Sequence, residues 1–449
     1  MVRTGALVRL YIMGLAFVVS LTLPALALAS EQALTPFGSP AAGNAEGTIP
    51  RWEGGIKAIP EDYERKQLHS DPFPQDRPVS VITPENFRKH GARLTPGQQR
   101  LFESYPGTFR MDIYPSRRSH ALPQWVNEGT RNNARNAMLG KEGNSVENLG
   151  PGTPFPHART GVEVIWNHLN RFRGSFIQVT DTESSVFPGH QVSYRMSHEV
   201  AFPPYARDSE VGGANNILLY YTSFLLSPPT HAGGGFLVVD FLDQQIQPRL
   251  VWTYDPGSRR VQRLASTTHD SVASLAENLR LVEDTDMFNG SPGAYDWRDL
   301  GVREAWIPYN NYRLPLARFS DLLTPFHLNP DHVRWELHRV RVVEGTAKAG
   351  SQPVYSKKIA YVDEDSWGIA MMENYDREGA LWRLGVSHPL NFYEVPMTFS
   401  VADVVHDFRE RAYNARNLLN EEPTAGEYDL PIPEAGYFQP ARLRQRAVR

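Results

Sequence analysis

Three histidines, His327, His332 and His338, and two acidic groups, Asp363-Glu364-Asp365 and Glu283-Asp284 with Asp286, are the side chains of this chain best suited to chemistry. Imidazoles suit zinc and clustered carboxylates suit calcium. Their spacing argues against both. His332 and His338 share a face of an expected strand, but at roughly 3.3 Å per residue they stand about 20 Å apart. His327 falls in a loop. The acidic groups read as a hairpin tip and a helix-to-loop junction, where turn charges are solvated. The chain has no cysteine, which excludes thiolate metal sites, cysteine nucleophiles and iron–sulfur clusters. GxSxG, Walker, HExxH and GxGxxG motifs are missing. Gly233-Gly234-Gly235 precedes a strand rather than a helix and reads as a plain loop. Glycosidase-like carboxylate pairs are set by spatial spacing, and nothing singles one out. No catalytic residue, metal or cofactor is expected, and the chain reads as a non-enzyme.

The positive signal is aromatic. Rings make up 11% of residues, with nine Trp. Trp166, Trp252, Tyr254, Phe288, Trp306, Trp335, Trp367, Met371 and Trp382 are the candidate lining of an apolar ligand cavity. The competing reading is that they fill one core.

Several elements must position these side chains. Arg249 to Leu264 reads as a hairpin, with Leu250, Trp252 and Tyr254 on one face and Asp255-Pro256-Gly257-Ser258 as the turn. Gly161 to Arg173 reads as a helix: Val162, Ile165, Trp166, Leu169 and Phe172 form a stripe, and Thr160 with Glu163 a capping box. Thr83-Pro84 and Thr95-Pro96 mark short helix starts, the second with Gln98 as box partner. A third short helix is expected near Thr130 to Leu139. Strands are expected at Phe176–Thr180, Gln191–Val200, Asn216–Leu226 and Phe236–Leu242, then at Val333–Val343, Val354–Val362, Gly368–Tyr375, Ala380–Leu384 and Phe392–Thr398. Short links make them antiparallel. Val401 to Leu419 reads as a last helix, with Ser400 as N-cap. The tail ending RLRQRAVR reads as solvated.

The N-terminus carries Arg3 and Arg9, an apolar run from Leu10 to Leu23, and Ala27-Leu28-Ala29 as a small-x-small signal. This is the pattern of a secretory signal peptide cleaved near Ala29/Ser30. Without Arg3 and Arg9 the 46 Lys and Arg fall to 44 against 50 Asp and Glu, a balance that argues against a general nucleic-acid binder. No later segment is long enough to span a bilayer as a helix. Residues 31 to 80, rich in Pro, Gly and Ala, read as an arm docked through Ile49, Trp52 and Ile56.

The hairpin VWTYDPGSRRVQRL followed by DMFNGSPGAYDWRDL, with its Tyr-Asp-x-x-Asp-Leu helix start, resembles the outer-membrane lipoprotein-sorting superfamily. Longer stretches, LTPFGSPAAGNAEGTIPRWEGGI, GVEVIWNHLNRFRG, WELHRVRVVEGTAKAG and YVDEDSWGIAMMENYDREGALWR, identify the chain as similar to an uncharacterised periplasmic family of Gram-negative bacteria, the domain of unknown function 1329 family, related to those carriers. The resemblance implies an α+β fold: a strongly curved antiparallel β half-barrel of lipoprotein-carrier type, covered by helices, with an irregular N-terminal extension. It divides the chain into signal peptide (1–29), arm and short helices (30–150), half-barrel (151–425) and tail (426–449). The ligand would lie between the sheet and the Gly161–Arg173 and Val401–Leu419 helices. It implies a periplasmic carrier of a lipid-like ligand, with an inner-membrane exporter of the resistance-nodulation-division type and an outer-membrane protein as partners. The alternatives are a structural adaptor of an export complex and an envelope hydrolase. The chain is about twice the size of the carriers, which separates it from lipoprotein cargo.

Overall fold

The computed structural model describes Met1 and residues 33–447 except 57, 208–215, 265–268 and 351–352. The signal-peptide stretch lies outside the described residues. The N-terminal part carries β1 (Ser80–Ile82), α1 (Pro96–Ser104), β2 (Met111–Ile113), α2 (Gln124–Asn136), the small pair β3 (Met138–Leu139) and β4 (Val146–Glu147), and α3 (Gly161–Leu169). A first run of long strands follows: β5 (Phe176–Phe187), β6 (His190–Ala201), β7 (Ile217–Ser227), β8 (Gly235–Phe241), β9 (Leu250–Asp255) and β10 (Arg260–Arg263). The second run is β11 (Tyr295–Pro308), the single-turn α4 (Phe319–Leu322), β12 (Trp335–Ala347), β13 (Lys357–Asp363), β14 (Ile369–Tyr375), β15 (Leu381–Phe392), β16 (Met397–Asp407) and β17 (Ala412–Leu418). A final helix, α5 (Pro440–Ala447), ends the described chain.

The long strands form one sheet in the order β1-β2-β12-β13-β14-β15-β16-β17-β5-β6-β7-β8-β9-β10, with β11 beside β12. The pairing β17·β5 joins the two runs, Tyr413 opposite Val186 and Ala415 opposite Ser184. All pairs are antiparallel except β2·β12, which meet in parallel at Ile113 and Trp335. The two end strands do not pair, so this curved half-barrel stays open.

The capping boxes form as the sequence requires: Thr95 with Gln98 opens α1, and Thr160 with Glu163 opens α3. At Thr83-Pro84 a 3-10 turn over Phe87–Arg93 forms instead, with Asn86 at its start. Helix α3 stops at Leu169, four residues early. Arg171 and Arg173 are freed from its last turn to pair with Asp286. Ile49, Trp52 and Ile56 do pack on the main core, and Trp52 Nε1 donates to the carbonyl of His120 at 2.9 Å.

Three expectations fail for physical reasons. The Val401–Leu419 helix is the β16–β17 hairpin. Val401, Val404 and Val405 fit a helical period, but they belong to a strand buried on both faces, which shows a continuous apolar run instead of alternation. Its turn is marked by Asp407, whose Oδ1 accepts from the amides of Arg409 (2.9 Å) and Glu410 (3.1 Å). The helix start at Tyr295 is strand β11, paired along β12 with a bulge between Asp299 and Val302. The basic tail is helix α5, and Leu443 and Phe438 bury against Phe176, Leu237 and Tyr254.

Candidate ligand-binding site

The clustered charges are not solvated. Glu283 and Asp284 are buried, and Lys358 Nζ, fully buried, lies 3.0 Å from Glu283. Asp365 accepts from Arg118 Nη2 at 2.6 Å, with both side chains inside the protein. These carboxylates sit at turns, as their sequence suggests, but other segments cover those turns. His327, His332 and His338 also stay apart, bonded in turn to Thr108, Asp321 and Glu336. Among the described residues no group of His, Asp and Glu could hold a metal.

The rings fall into three places. Trp166, Phe288, Trp306, Trp335, Trp367 and Met371 share the main core. Trp166 Nε1 donates to the Gly143 carbonyl and Trp367 Nε1 to the Phe37 carbonyl, each at 2.9 Å. Tyr254, with Trp252 packed beside it, belongs to the cluster under α5. Trp382 stands apart, edge-on to Tyr355 and hydrogen-bonded to Asp407.

A cavity of about 400 Å³ opens elsewhere, on the inner face of β5–β9. None of the nine sequence candidates lines it. For the two candidates on β9 the reason is period-2 alternation. Val251 and Arg249 point into the cavity, so Leu250, Trp252 and Tyr254 face the other side of the sheet, where Trp252 and Tyr254 pack with α5. The inward positions are Ile177, Val179, Asp181 and Glu183 on β5, and Met196, His198 and Val200 on β6. Next come Leu219, Tyr221 and Ser223 on β7, and Phe236, Val238 and Asp240 on β8. β16 and β17 add Phe399, Asp403 and Arg416.

The cover is the segment 269–289, whose acidic end, Glu283-Asp284 with Asp286, the sequence marks but whose apolar residues it does not. Val272 and Leu281 form a bridge, Val282 N donates to Ser271 O at 2.8 Å, and Val272, Ala273, Leu275 and Val282 face the cavity. Polar latches hold this flap to the sheet. Arg280 Nη2 reaches Glu183 Oε1 at 2.9 Å and Oε2 at 3.0 Å. Tyr194 donates to Glu277 at 2.9 Å, and Arg383 donates to the Asn278 carbonyl at 2.6 Å.

The cavity is therefore apolar along Ile177, Val179, Val200, Leu219, Val238 and Val251, and polar at the β17–β5–β6 seam. There His198 bridges Asp181 (2.9 Å) and the Tyr221 hydroxyl (2.7 Å). Burial pushes Tyr221 up to about 12. Asp240 is held by Arg249 at 2.5 Å, which outweighs burial and keeps its carboxyl below the usual range. Burial would raise Asp286, but Arg171 and Arg173 overcome it and hold it well below the carboxylate range. A volume of 400 Å³ lies in the range of small-molecule sites. Mostly apolar walls, with polar groups at the seam and the paired Asp240 and Arg249 on the β8–β9 side, suit an amphiphile.

Signals for this cavity were present in the sequence. The inward positions of β5 to β8 recur at two-residue spacing, and the apolar Ile177, Val179, Val200 and Val238 among them are β-branched. They are small β-branched residues more than rings, so a search weighted to aromatic size overlooks them.

Comparison with known proteins agrees with the resemblance seen in the sequence. Over 420 residues the chain is 35% identical to the uncharacterised protein PA3922 of Pseudomonas aeruginosa, covering 93% of this chain and 92% of that one. Among solved structures, a Vibrio parahaemolyticus domain provisionally named for outer-membrane lipoprotein sorting aligns with TM-score 0.45 and 15% identity, over 63% of this chain and 98% of that one. A DUF1329 family protein from Desulfovibrio piger aligns with TM-score 0.43 and 16% identity, over 60% and 92%. At these scores the likeness does not extend to a ligand or partner. Residues 81–444 match the model of the family described as protein of unknown function DUF1329, and the chain belongs to that family.

Proposed function

We propose that this protein is a periplasmic carrier that holds a hydrophobic, lipid-like ligand in the cavity between β5–β9 and the 269–289 flap. It passes that ligand between an exporter of the resistance-nodulation-division type and an outer-membrane protein. The observation that supports the reading is the cavity itself, an apolar volume of about 400 Å³ in a chain otherwise packed with large rings. Burying an acyl chain gains about 0.8 kcal/mol per methylene. Ten buried methylenes supply about 8 kcal/mol, a dissociation constant near the micromolar range before ordering costs. An adaptor with a filled core has no use for such a volume.

The envelope-hydrolase reading has one observation in its favour. Asp181, His198 and Tyr221 stand in the order carboxylate, imidazole, hydroxyl. Burial raises the tyrosine hydroxyl to about 12, so its activation would rest wholly on His198 as the base.

The test is to purify the protein from the periplasm without detergent, weigh it in the native state, and extract and identify what it carries. A co-purified lipid that delipidation removes is expected. A single apo mass, unchanged by delipidation, refutes the carrier reading.

A further inference from the structure

Charge on the cavity wall is almost fully accounted for within the chain. Asp181 is bonded to His198, Glu183 to Arg280, Asp240 to Arg249, Asp286 to Arg171 and Arg173, and Asp403 Oδ2 to Asn417 at 3.1 Å. Asp403 Oδ1 and Arg173 Nε are buried without a partner, but among the described residues Arg416 is the lining cation that has no ion pair at all. It is half-buried on β17 and lines the cavity, and among the described residues it makes no hydrogen bond and no ion pair. Its Nε is sealed from solvent and has no partner. Asp403 stands directly opposite it on β16, yet the two side chains do not pair.

This is an unusual state for a guanidinium. A guanidinium is not neutralised by deprotonation, and taking its Nε–H out of water without a partner is costly. The charge is retained. Burial would lower its pKa, but the fields of Glu183, Tyr221, Asp403 and Asp181 overcome this and hold it above the ordinary value. Asp403 does not supply the missing counter-charge. Its Oδ2 is turned to Asn417 instead, and burial, followed by the neighbouring charge of Asp286, pushes its carboxyl above the usual range. The guanidinium fork therefore faces the cavity with donors to spare, in the geometry that a carboxylate or phosphate fits with two parallel bonds.

We propose that Arg416 is the anchor for the anionic head, a carboxylate or a phosphate, of a single-chain amphiphile whose chain lies along Val179, Val200, Leu219 and Val238. The inference rests on the carrier reading and names the class of ligand. One chain fits the volume at the lower end of small-molecule sites, where a multi-chain lipid anchor does not. The head sits at the seam because Arg416 stands there, whereas the guanidinium on β9, Arg249, is already paired with Asp240.

Equilibrium binding to the delipidated protein tests this with four probes: labelled palmitate, hexadecyl phosphate and hexadecanol, and inorganic phosphate as competitor. The unchanged protein is expected to bind the two acids about tenfold or more tightly than the alcohol. Arg416→Gln is expected to erase that difference while leaving the alcohol's affinity in place, and Arg416→Lys to restore part of it. Retained alcohol binding shows that the variant is folded. If all three chains bind alike and Arg416→Gln changes nothing, the anchor is refuted and the carrier reading survives. If inorganic phosphate displaces palmitate at matched concentrations, the site takes a free anion and the amphiphile is refuted. If no chain binds the unchanged protein, the carrier reading itself fails, and this inference with it.

Discussion

Replacing Arg280 by Met should loosen the flap over the cavity at a predictable cost. The Arg280 guanidinium donates to both oxygens of Glu183, and Nε also lies 3.0 Å from Asn414 Oδ1. The Glu183 and Arg280 side chains are 3% and 8% exposed, so water does not screen the pair. Methionine keeps the apolar stem and opens little void, so the loss is electrostatic. Removing one partner of a buried pair costs about 3–5 kcal/mol, because the other charge stays buried and uncompensated. Arg416 lies within the field of Glu183 and relieves some of this, so we expect about 3 kcal/mol. Urea unfolding followed by tryptophan fluorescence reads this as a midpoint shift of about 1 M, at a slope of about 3 kcal/mol per M. If only the flap opens, the cost appears in amide exchange instead. Ala273 N donates to Arg280 O and Val282 N to Ser271 O, and both amides should exchange about a hundredfold faster. The double variant Glu183→Gln/Arg280→Met removes the stranded carboxylate and should recover most of the loss. A single variant that changes neither the midpoint nor the exchange, or a double as damaged as the single, refutes the latch.

Two further predictions separate the cavity from the rings and the histidines from the acids. Val238→Trp should fill the cavity and abolish chain binding with a midpoint within about 0.3 M of the unchanged protein, whereas Trp252→Ala should lower the midpoint through lost packing under α5 and leave binding intact; the reverse pattern would return the site to the rings. Burial holds His388 near 4, and its Nδ1–H donates to the Ala402 carbonyl at 3.0 Å. The unfolded chain takes up that proton near pH 6.5 and the folded chain does not, so the stability is present above pH 6.5 and is lost as pH falls toward 4. His388→Asn keeps the donor without the titration, so from pH 7.5 to 5.5 it should lose about 1.3 kcal/mol less than the unchanged protein, and equal losses in urea melts would contradict the assignment.

Much of the architecture was legible because local rules and tertiary demands agree there. Thr95 with Gln98 and Thr160 with Glu163 specify their caps through contacts three residues apart, which no distant segment can rearrange. The turn at Asp255 to Ser258 is equally local, closed by Ser258 N donating to Asp255 Oδ1 at 2.6 Å. Legibility is lost where the deciding contact is distant. Val401 to Leu419 has a helical stripe, yet it is drawn into strands because β15 on one side and β5 on the other offer it complete ladders. Asp363 and Asp365 read as solvated until Arg118, Ser39 and Ser366 are seen to reach them. On β9 the two candidate rings and the cavity differ by one parity, because Trp252 and Tyr254 face away from the side that Arg249 and Val251 line. In the hairpin the sequence shows rings on one face and smaller residues on the other, and size suggests that the rings meet the ligand. Rings bury the most surface and hold their neighbours most tightly, so they go where the protein must be filled. A site that must empty and refill is better walled by side chains that leave room, and Val179, Val200 and Val238 do that. On β9 the positions that line the cavity are therefore those opposite the rings on the same strand.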